Sequence, residues 1–200
     1  MTDKSIWWEK TVEYKFVVDA AKCEERNLDF AAPLSGIQEM AADGVFSADA
    51  KLILVEFKRD LKSLKTEADK FTCYKKAAKK MKGRDRHHFL VYGYISRENQ
   101  LELEARRYFS LNKKYPPLSI LDEGLVDSEF KEYLRDLIKL KKVDKRSSGT
   151  VAPEFLNSVM GVSPQGASSI SLSEYVRIKL PELYQALIKT NEPDGPGLKK

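Results

Sequence analysis

Apolar side chains in the first half of the chain fall into short runs that predict alternating helices and strands. The clearest run is KLILVEF, rich in branched side chains, which predicts a buried strand over Lys51 to Arg59. Because side chains alternate along a strand, one face carries Leu52, Leu54, Glu56 and Lys58, and the other carries Ile53, Val55 and Phe57. An acid and a base therefore share one face of a core strand, where a charge is costly unless it is paired or bound to a metal.

Three elements are predicted before this strand. Ile6 to Ala21 fits a helix better than a strand, and capping residues precede its apolar run. Leu28 to Leu34 and Ile37 to Phe46 are predicted as strands, because turn residues bound them. Strands of this length joined by short turns favour an antiparallel meander that ends in Lys51 to Arg59.

A helix and two strands are predicted after the central strand. Leu64 to Met81 has apolar residues at spacings of three and four, with Gly83 at the C-terminal cap position, which predicts a helix. His87 to Ile95 is predicted as a strand, and Leu101 to Phe109 pairs with it as a hairpin. The predicted order is therefore helix, three strands, helix, strand.

The rest of the chain is predicted to be mainly helical. Helices are expected over Asp127 to Lys142, over Pro153 to Met160, and over Leu172 to Lys189, where Pro181 crosses the pattern. Gly161 to Ser171 is expected to be a flexible segment or a long loop. The predicted organisation is a core over residues 1–110, a helical extension over residues 111–190 and a disordered tail over residues 191–200.

Composition indicates a soluble globular protein with unevenly distributed basic charge. The 200 residues are 42% hydrophobic and 32% charged, with a net charge of +5, as is typical of one good-sized domain. Without an apolar run of about 18 residues or a signal peptide, a cytoplasmic location and no membrane partner are expected. Cys23, Cys73 and the pair His87-His88 lack metal-ligand spacing, so the cysteines are expected to be thiols and the histidines incidental.

The residues around the central strand resemble those of a known nuclease superfamily. Asp43, followed by Glu56-x-Lys58 at the end of a hydrophobic strand, resembles the motif of the PD-(D/E)xK superfamily, with Ala42 in place of the motif's Pro. The predicted order of elements from Ile6 to Phe109 is similar to the αβββαβ core of that superfamily. The resemblance implies an α/β (α+β), restriction-endonuclease-like fold with a central mixed sheet flanked by helices, and the apolar spacing beyond Phe109 adds the C-terminal helical extension.

The same resemblance implies a metal-dependent endonuclease that hydrolyses DNA phosphodiester bonds. Mg²⁺, for which Mn²⁺ is expected to substitute, is a hard cation that prefers oxygen ligands. The expected ligands are the carboxylates of Asp43 and Glu56 and the backbone carbonyl of Phe57. Lys58 is expected to orient or deprotonate the attacking water, or to stabilise the developing charge.

In the superfamily, a glutamate of the first helix often completes the acidic cluster. Glu9 and Glu13 both fall on the predicted first helix, one turn apart, and Glu13 is preferred because it lies nearer the side of Val17 and Ala20. Glu39 is a third candidate, because it shares a predicted strand face with Asp43. The acidic cluster is therefore expected to contain Asp43, Glu56 and one of these three glutamates.

The lysines of the second predicted helix are candidates for contacts with DNA phosphates. The residues concerned are Lys75, Lys76, Lys79 and Lys80. Such a face is equally compatible with ordinary solvation, and a homodimer or a subunit of a larger complex is compatible with the sequence. Phage defence, restriction, recombination and repair are not separated by these residues. The alternatives are a catalytically silent protein of this fold that binds nucleic acid or a partner protein, and a basic structural protein.

Overall fold

The computed structural model describes residues 7–23, 30–31, 49–141, 157–164 and 166–189, which contain both helices and strands. The helices are α1 (Glu9–Ala21), α2 (Tyr74–Met81), α3 (Asp127–Leu140), α4 (Leu172–Lys179) and α5 (Pro181–Lys189). The strands are β1 (Phe30–Ala31), β2 (Lys51–Lys58), β3 (His88–Ile95), β4 (Leu101–Arg107), β5 (Ser110–Tyr115), β6 (Ser158–Ser163) and β7 (Gly166–Ser171). Two 3-10 helices, Leu61–Lys70 and Pro117–Asp122, complete the described elements.

The seven described strands form one mixed sheet in the order β1-β7-β6-β2-β3-β4-β5. β2 lies at its centre, parallel to β3 over Leu54–Lys58 and antiparallel to β6 over Lys51–Val55. A parallel pair needs a crossover connection, and the 3-10 helix Leu61–Lys70 and α2 supply it. The prediction of an α/β protein with a mixed sheet flanked by helices is confirmed at that level.

The two faces of β2 bury different cores. Ile53, Val55 and Phe57 pack with the buried side of α1, which contributes Val12 and Phe16. The opposite face carries Leu52 and Leu54, which pack in a second core. That second core also contains Leu64 of the first 3-10 helix, Phe71 after it, and Ala77, Met81, Phe130, Leu134 and Leu137 of α2 and α3. The predicted alternation is confirmed, so Glu56 and Lys58 project toward the first 3-10 helix and α2.

The predicted helix over Leu64 to Met81 is wrong in its first half. Leu61–Lys70 is a 3-10 helix, begun by Asp60, whose carboxylate accepts a hydrogen bond from the Ser63 N–H (2.9 Å). Phe71 is extended and forms an isolated β-bridge with Lys141. That bridge ends the 3-10 helix, and α2 begins only at Tyr74.

The predictions for the C-terminal third are partly wrong. Residues 158–160 were predicted to be helical and Gly161 to Ser171 to be a loop, but β6 and β7 form a hairpin there. Sheet pairing overrides the turn tendency of the small residues, because Val159 and Ile170 pair and both enter a core. The prediction of an antiparallel meander that ends in β2 is also wrong, because the antiparallel neighbour of β2 is β6. The extension is therefore not purely helical.

Other predicted elements are confirmed where the structure describes them. α1 is a helix rather than a strand, β3 and β4 form the predicted hairpin, and α4 and α5 meet at Pro181. The predicted strand Ile37–Phe46 and the tail 191–200 lie outside the described residues. Within the described ranges, every helix is too short or too polar to cross a membrane.

Candidate active site

Two acids and two bases form a buried ring of ion pairs at the end of β2. Lys58 Nζ lies 2.9 Å from Glu56 Oε1 and 2.7 Å from Glu67 Oε1. Lys70 Nζ contacts Glu56 Oε1 and lies 3.0 Å from Glu67 Oε1. The side chains of Glu56, Lys58 and Glu67 are at most 8% exposed, and that of Lys70 is 22% exposed. Each carboxylate is thus neutralised by the same two ammonium groups.

The 3-10 geometry of Leu61–Lys70 explains how Glu67 and Lys70 reach this ring. Three residues per turn bring every third side chain to one side, so Leu64, Glu67 and Lys70 share a face. Leu64 and Glu67 on that face are buried against the sheet. In an α-helix, which has 3.6 residues per turn, residues three apart are offset by about 60° around the axis, so Lys70 would not lie directly in line with Glu67.

An aromatic chain of contacts continues from the ring into the core. The Tyr108 hydroxyl donates to Glu67 Oε2 (2.7 Å), and the Tyr108 ring stacks on the His88 ring with centroids 3.9 Å apart. His88 Nδ1 is hydrogen-bonded to the hydroxyl of Tyr133 on α3 (2.7 Å). Burial, followed by the Glu56 and Glu67 charges, raises the pKa of Tyr108, so this hydroxyl stays protonated at neutral pH. It therefore serves as a donor that fixes Glu67.

The ring separates the pKa values of its two carboxyl groups. Burial acts most strongly on Glu56 and opposes its ionisation, but the charges of Lys70, Lys141 and Lys58 outweigh it and lower the pKa of Glu56. Burial and the neighbouring charge of Glu56 raise the pKa of Glu67. Glu56 is consequently the ionised partner, and Glu67 is the first of the two to accept a proton.

The environment of Lys58 keeps it charged. Burial is the largest influence and would lower the pKa of Lys58, but the carboxylates of Glu56 and Glu67 together raise it above its usual range. An ammonium group held in this way can stabilise negative charge on a bound group and can donate hydrogen bonds. It is poorly suited to accept a proton in the state described by the structure.

Glu9, and not the preferred Glu13, lies beside Lys58. Glu9 Oε1 is 3.7 Å from Lys58 Nζ, and the Glu9 side chain is 51% exposed at the start of α1. Glu13 instead pairs with Lys10 at 2.6 Å on the helix surface. Asp43 and Glu39 lie outside the described residues.

One carboxylate oxygen of Glu56 is a candidate ligand for a metal ion. Glu56 Oε2 is buried and has no hydrogen-bond partner among the described residues, whereas Glu56 Oε1 is engaged by both lysines. A carboxylate oxygen in this state fits a hard divalent cation. The described ranges alone contain no group of three or more metal-binding side chains, and the predicted ligand Asp43 lies outside them.

Comparison of the chain with models of known protein families, with curated proteins and with solved structures finds no match. The function proposed below therefore depends on the residues of the site.

The four predicted DNA-binding lysines lie on the solvent side of α2. Lys75, Lys76, Lys79 and Lys80 are all exposed, while Ala77 and Met81 on the same helix are buried. Lys80 Nζ lies 3.6 Å from an oxygen of Asp136 on α3, which partly neutralises it. The lysines thus form an exposed basic face on the crossover that also carries Glu67 and Lys70.

Sequence reasoning missed Glu67 and Tyr108. The signal for Glu67 was available as the three-residue spacing of Leu61, Leu64, Glu67 and Lys70, but it was masked by the assumption of a 3.6-residue repeat. Tyr108 follows β4, and its contact with Glu67 spans 41 residues. A contact of that separation has no local sequence signal.

His87, expected to be incidental, is fully buried among aromatic rings. Its ring meets the rings of Phe130 and Tyr133 edge-on, with centroids 5.5 Å and 4.3 Å away. Neither ring nitrogen has a hydrogen-bond partner within the described ranges. Burial, followed by the charges of Arg86 and Arg84, lowers the pKa of His87 to about 3.

We expect this histidine to make the protein less stable in acid. Unfolded histidine protonates near pH 6.5, whereas native His87 excludes the proton until the pH falls to about 3. Stability is therefore lost as the pH falls through that interval, by about 2 kcal/mol at pH 5. His87→Phe, which suits the aromatic neighbours, should abolish this pH-dependent loss. The free energy of unfolding in urea, measured at pH 8 and at pH 5, should therefore differ less in the variant than in the wild type. An equal loss of stability in the wild type and the variant would contradict the assignment.

Proposed function

We propose that the chain is a divalent-metal-dependent endonuclease that hydrolyses DNA phosphodiester bonds on a restriction-endonuclease-like fold. The observation that carries the proposal is the placement of Glu56 and Lys58 side by side at the end of the central strand, with Glu56 ionised and its Oε2 without a partner among the described residues. The crossover from β2 to a parallel β3 agrees with the order of elements in that fold.

Each residue of the site would have a separate role in such a reaction. Glu56, through Oε2, the Phe57 carbonyl and Asp43 would hold a divalent ion, which when bound would neutralise phosphate charge and lower the pKa of a bound water. Lys58, kept as an ammonium group, would donate to a phosphate oxygen and stabilise the negative charge that develops there. Glu9 is exposed at the rim and is placed to hold Lys58 toward that oxygen.

Glu67 and Lys70 would act by positioning the other residues. Glu67 Oε1 is 2.7 Å from Lys58 Nζ, and Lys70 contacts Glu56, so each fixes one member of the Glu-x-Lys pair. A metal ion on Glu56 Oε2 would share this carboxylate with both lysines, which engage Oε1, so it would lie close to their positive charges. Lys70, the more exposed of the two lysines, is the one with room to move.

The proposal is tested by cleavage of plasmid, linear and branched DNA with Mg²⁺ or Mn²⁺. The wild type should cut at least one of these substrates, and Asp43→Asn and Glu56→Gln should abolish cutting. Glu98→Gln, the same change at an exposed glutamate in the turn between β3 and β4, serves as the control and should retain it. Cleavage that persists in Asp43→Asn or Glu56→Gln would refute the nuclease assignment.

A catalytically silent nucleic-acid-binding protein is the second candidate. It is favoured by one observation, that the two carboxylates are already neutralised by two lysines within the described part of the chain. The two candidates separate in the same assay, because a silent protein binds DNA yet leaves it intact with either metal.

The lysine face of α2 is expected to contribute salt-dependent binding to any DNA sequence. Replacing Lys75, Lys76, Lys79 and Lys80 by Gln should flatten the slope of log affinity against log salt by roughly 0.9 for each duplex phosphate that the protein no longer neutralises. The melting temperature should barely change, because these lysines are exposed. Lys22→Gln with Lys113→Gln, two exposed lysines on other elements, is the control. An unchanged slope would place the DNA elsewhere.

A further inference from the structure

A highly exposed tryptophan stands at the rim of the buried ring. Trp8 is 76% exposed, the largest exposure among the large hydrophobic side chains described. It directly precedes Glu9, whose carboxylate lies 3.7 Å from Lys58 Nζ. Consecutive Cα atoms are about 3.8 Å apart, so the backbone of Trp8 lies beside the residue that contacts Lys58.

The backbone that presents Trp8 is anchored on both sides. The neighbouring Trp7 is buried, and its Nε1–H donates to the carbonyl of Arg59, the residue after Lys58 (2.8 Å). Gly93 on β3 makes room for this contact, because a Cβ there would lie 2.7 Å from Trp7 Nε1 and 3.2 Å from the Arg59 carbonyl oxygen. On the other side, the Trp8 N–H is 3.4 Å from the Thr11 hydroxyl at the start of α1. The position of Trp8 is thus tied to the strand that carries Lys58.

Polar and charged residues follow Trp8 along α1. Glu9, Lys10 and Thr11 are exposed, and the other exposed large hydrophobic side chains described on α1 are Tyr14 and Val18. Exposed basic residues follow Lys58 on the other side of the anchor, namely Arg59, Lys62 and Lys65. An exposed aromatic ring whose neighbour Trp7 is anchored where β2 leads into these basic residues suits a ligand that combines an aromatic face with a phosphate.

We propose that Trp8 is a stacking platform for an unpaired base, so that the site takes nucleic acid that is single-stranded next to the phosphate at Lys58. A base inside a duplex is stacked on both faces, and its ring becomes accessible to an indole only where the strand is unpaired or splayed. The inference deepens the proposed nuclease function and rests on it for the role of Lys58. It narrows the substrate to single strands, flaps or branched DNA.

Binding is measured without cleavage, in buffer containing a chelator, with an oligothymidine of about 12 nucleotides and with a duplex of the same length. Of the two tryptophans in the chain, Trp7 is buried and Trp8 is exposed. Binding to the single strand should therefore quench the fluorescence of Trp8, and Trp8→Phe should bind without that quenching. Trp8→Ala should lose about 5- to 150-fold in affinity for the single strand and keep its affinity for the duplex. Tyr14→Ala, which removes another exposed aromatic of α1, is the control and should bind as the wild type does.

Other results would contradict the stacking role of Trp8. Unchanged affinity of Trp8→Ala for the single strand, or an equal loss on the duplex, overturns the stacking role. A change of oligomeric state in Trp8→Ala, measured by sedimentation, overturns it in favour of a contact between two copies of the chain. If the wild type cleaves DNA and Trp8→Ala binds single strands normally, only this inference fails. If Trp8 stacks but no metal supports cleavage, only the nuclease assignment fails.

Discussion

Replacing Lys58 by alanine is expected to reduce DNA cleavage by a factor on the order of 10² to 10⁴, the usual effect of removing a positioned acid–base group. In the proposed mechanism Lys58 is the ammonium group that donates to a phosphate oxygen, and Glu56 beside it remains ionised through Lys70. The measurement is single-turnover cleavage of the best DNA substrate at saturating Mn²⁺, together with Mn²⁺ affinity by calorimetry.

The metal affinity decides how this result is interpreted. Lys58→Ala should bind Mn²⁺ at least as well as the wild type, because a positive charge next to Glu56 has been removed. Lys58→Arg, which keeps the charge with a different shape, is the matched comparison and should recover part of the activity. A parallel loss of metal affinity and cleavage would show that Lys58 is a structural residue.

Replacing Glu67 by alanine is expected to destabilise the fold by about 3–5 kcal/mol, as is usual when one member of a buried ion pair is removed. The change would leave Lys58 and Lys70 sharing Glu56 alone, and would leave the Tyr108 hydroxyl without its acceptor. Urea unfolding at neutral pH measures the loss as a lower midpoint at an unchanged slope.

Glu67→Gln is the control for charge at this position. Its amide oxygen can still accept from Tyr108, and the raised pKa of Glu67 means that the neutral side chain is tolerated better here than at Glu56. We therefore expect a clearly smaller loss for Glu67→Gln than for Glu67→Ala. If both variants unfold at the wild-type midpoint, the ring contributes nothing to stability.

The elements that were predicted correctly are those whose pattern is local. The alternation of KLILVEFK placed Glu56 and Lys58 on one face without knowledge of any neighbour, and α3 was recognised from its own apolar spacing. β6 and β7 were missed because SVMGVS and GASSIS contain small and polar residues that are typical of turns. β6 becomes a strand through pairing with β2, which lies about a hundred residues earlier in the chain, and β7 pairs with β6.

The candidate site was predictable only in part for the same reason. Glu56 and Lys58 come from one strand, so their spacing alone brings them together. Glu67 depends on a 3-10 helix, which ordinary helix periodicity does not predict, and Tyr108 depends on a contact across the crossover. The choice between Glu9 and Glu13 depended on where α1 begins relative to β2, which the bond from Trp7 to Arg59 fixes.

The place of β6 beside β2 has a consequence for the chain while it is being synthesised. The ribosome completes β2 about a hundred residues before β6, its antiparallel partner over Lys51–Val55. At roughly 5–20 residues per second, the nascent chain spends about 5–20 seconds with this apolar edge unpaired. A chain truncated at residue 110 would keep the edge open permanently, and a neighbouring nascent chain is the nearest strand that could pair with it. Expression of the isolated N-terminal part should therefore give aggregates, whereas chains that include β6 and β7 close their own edge.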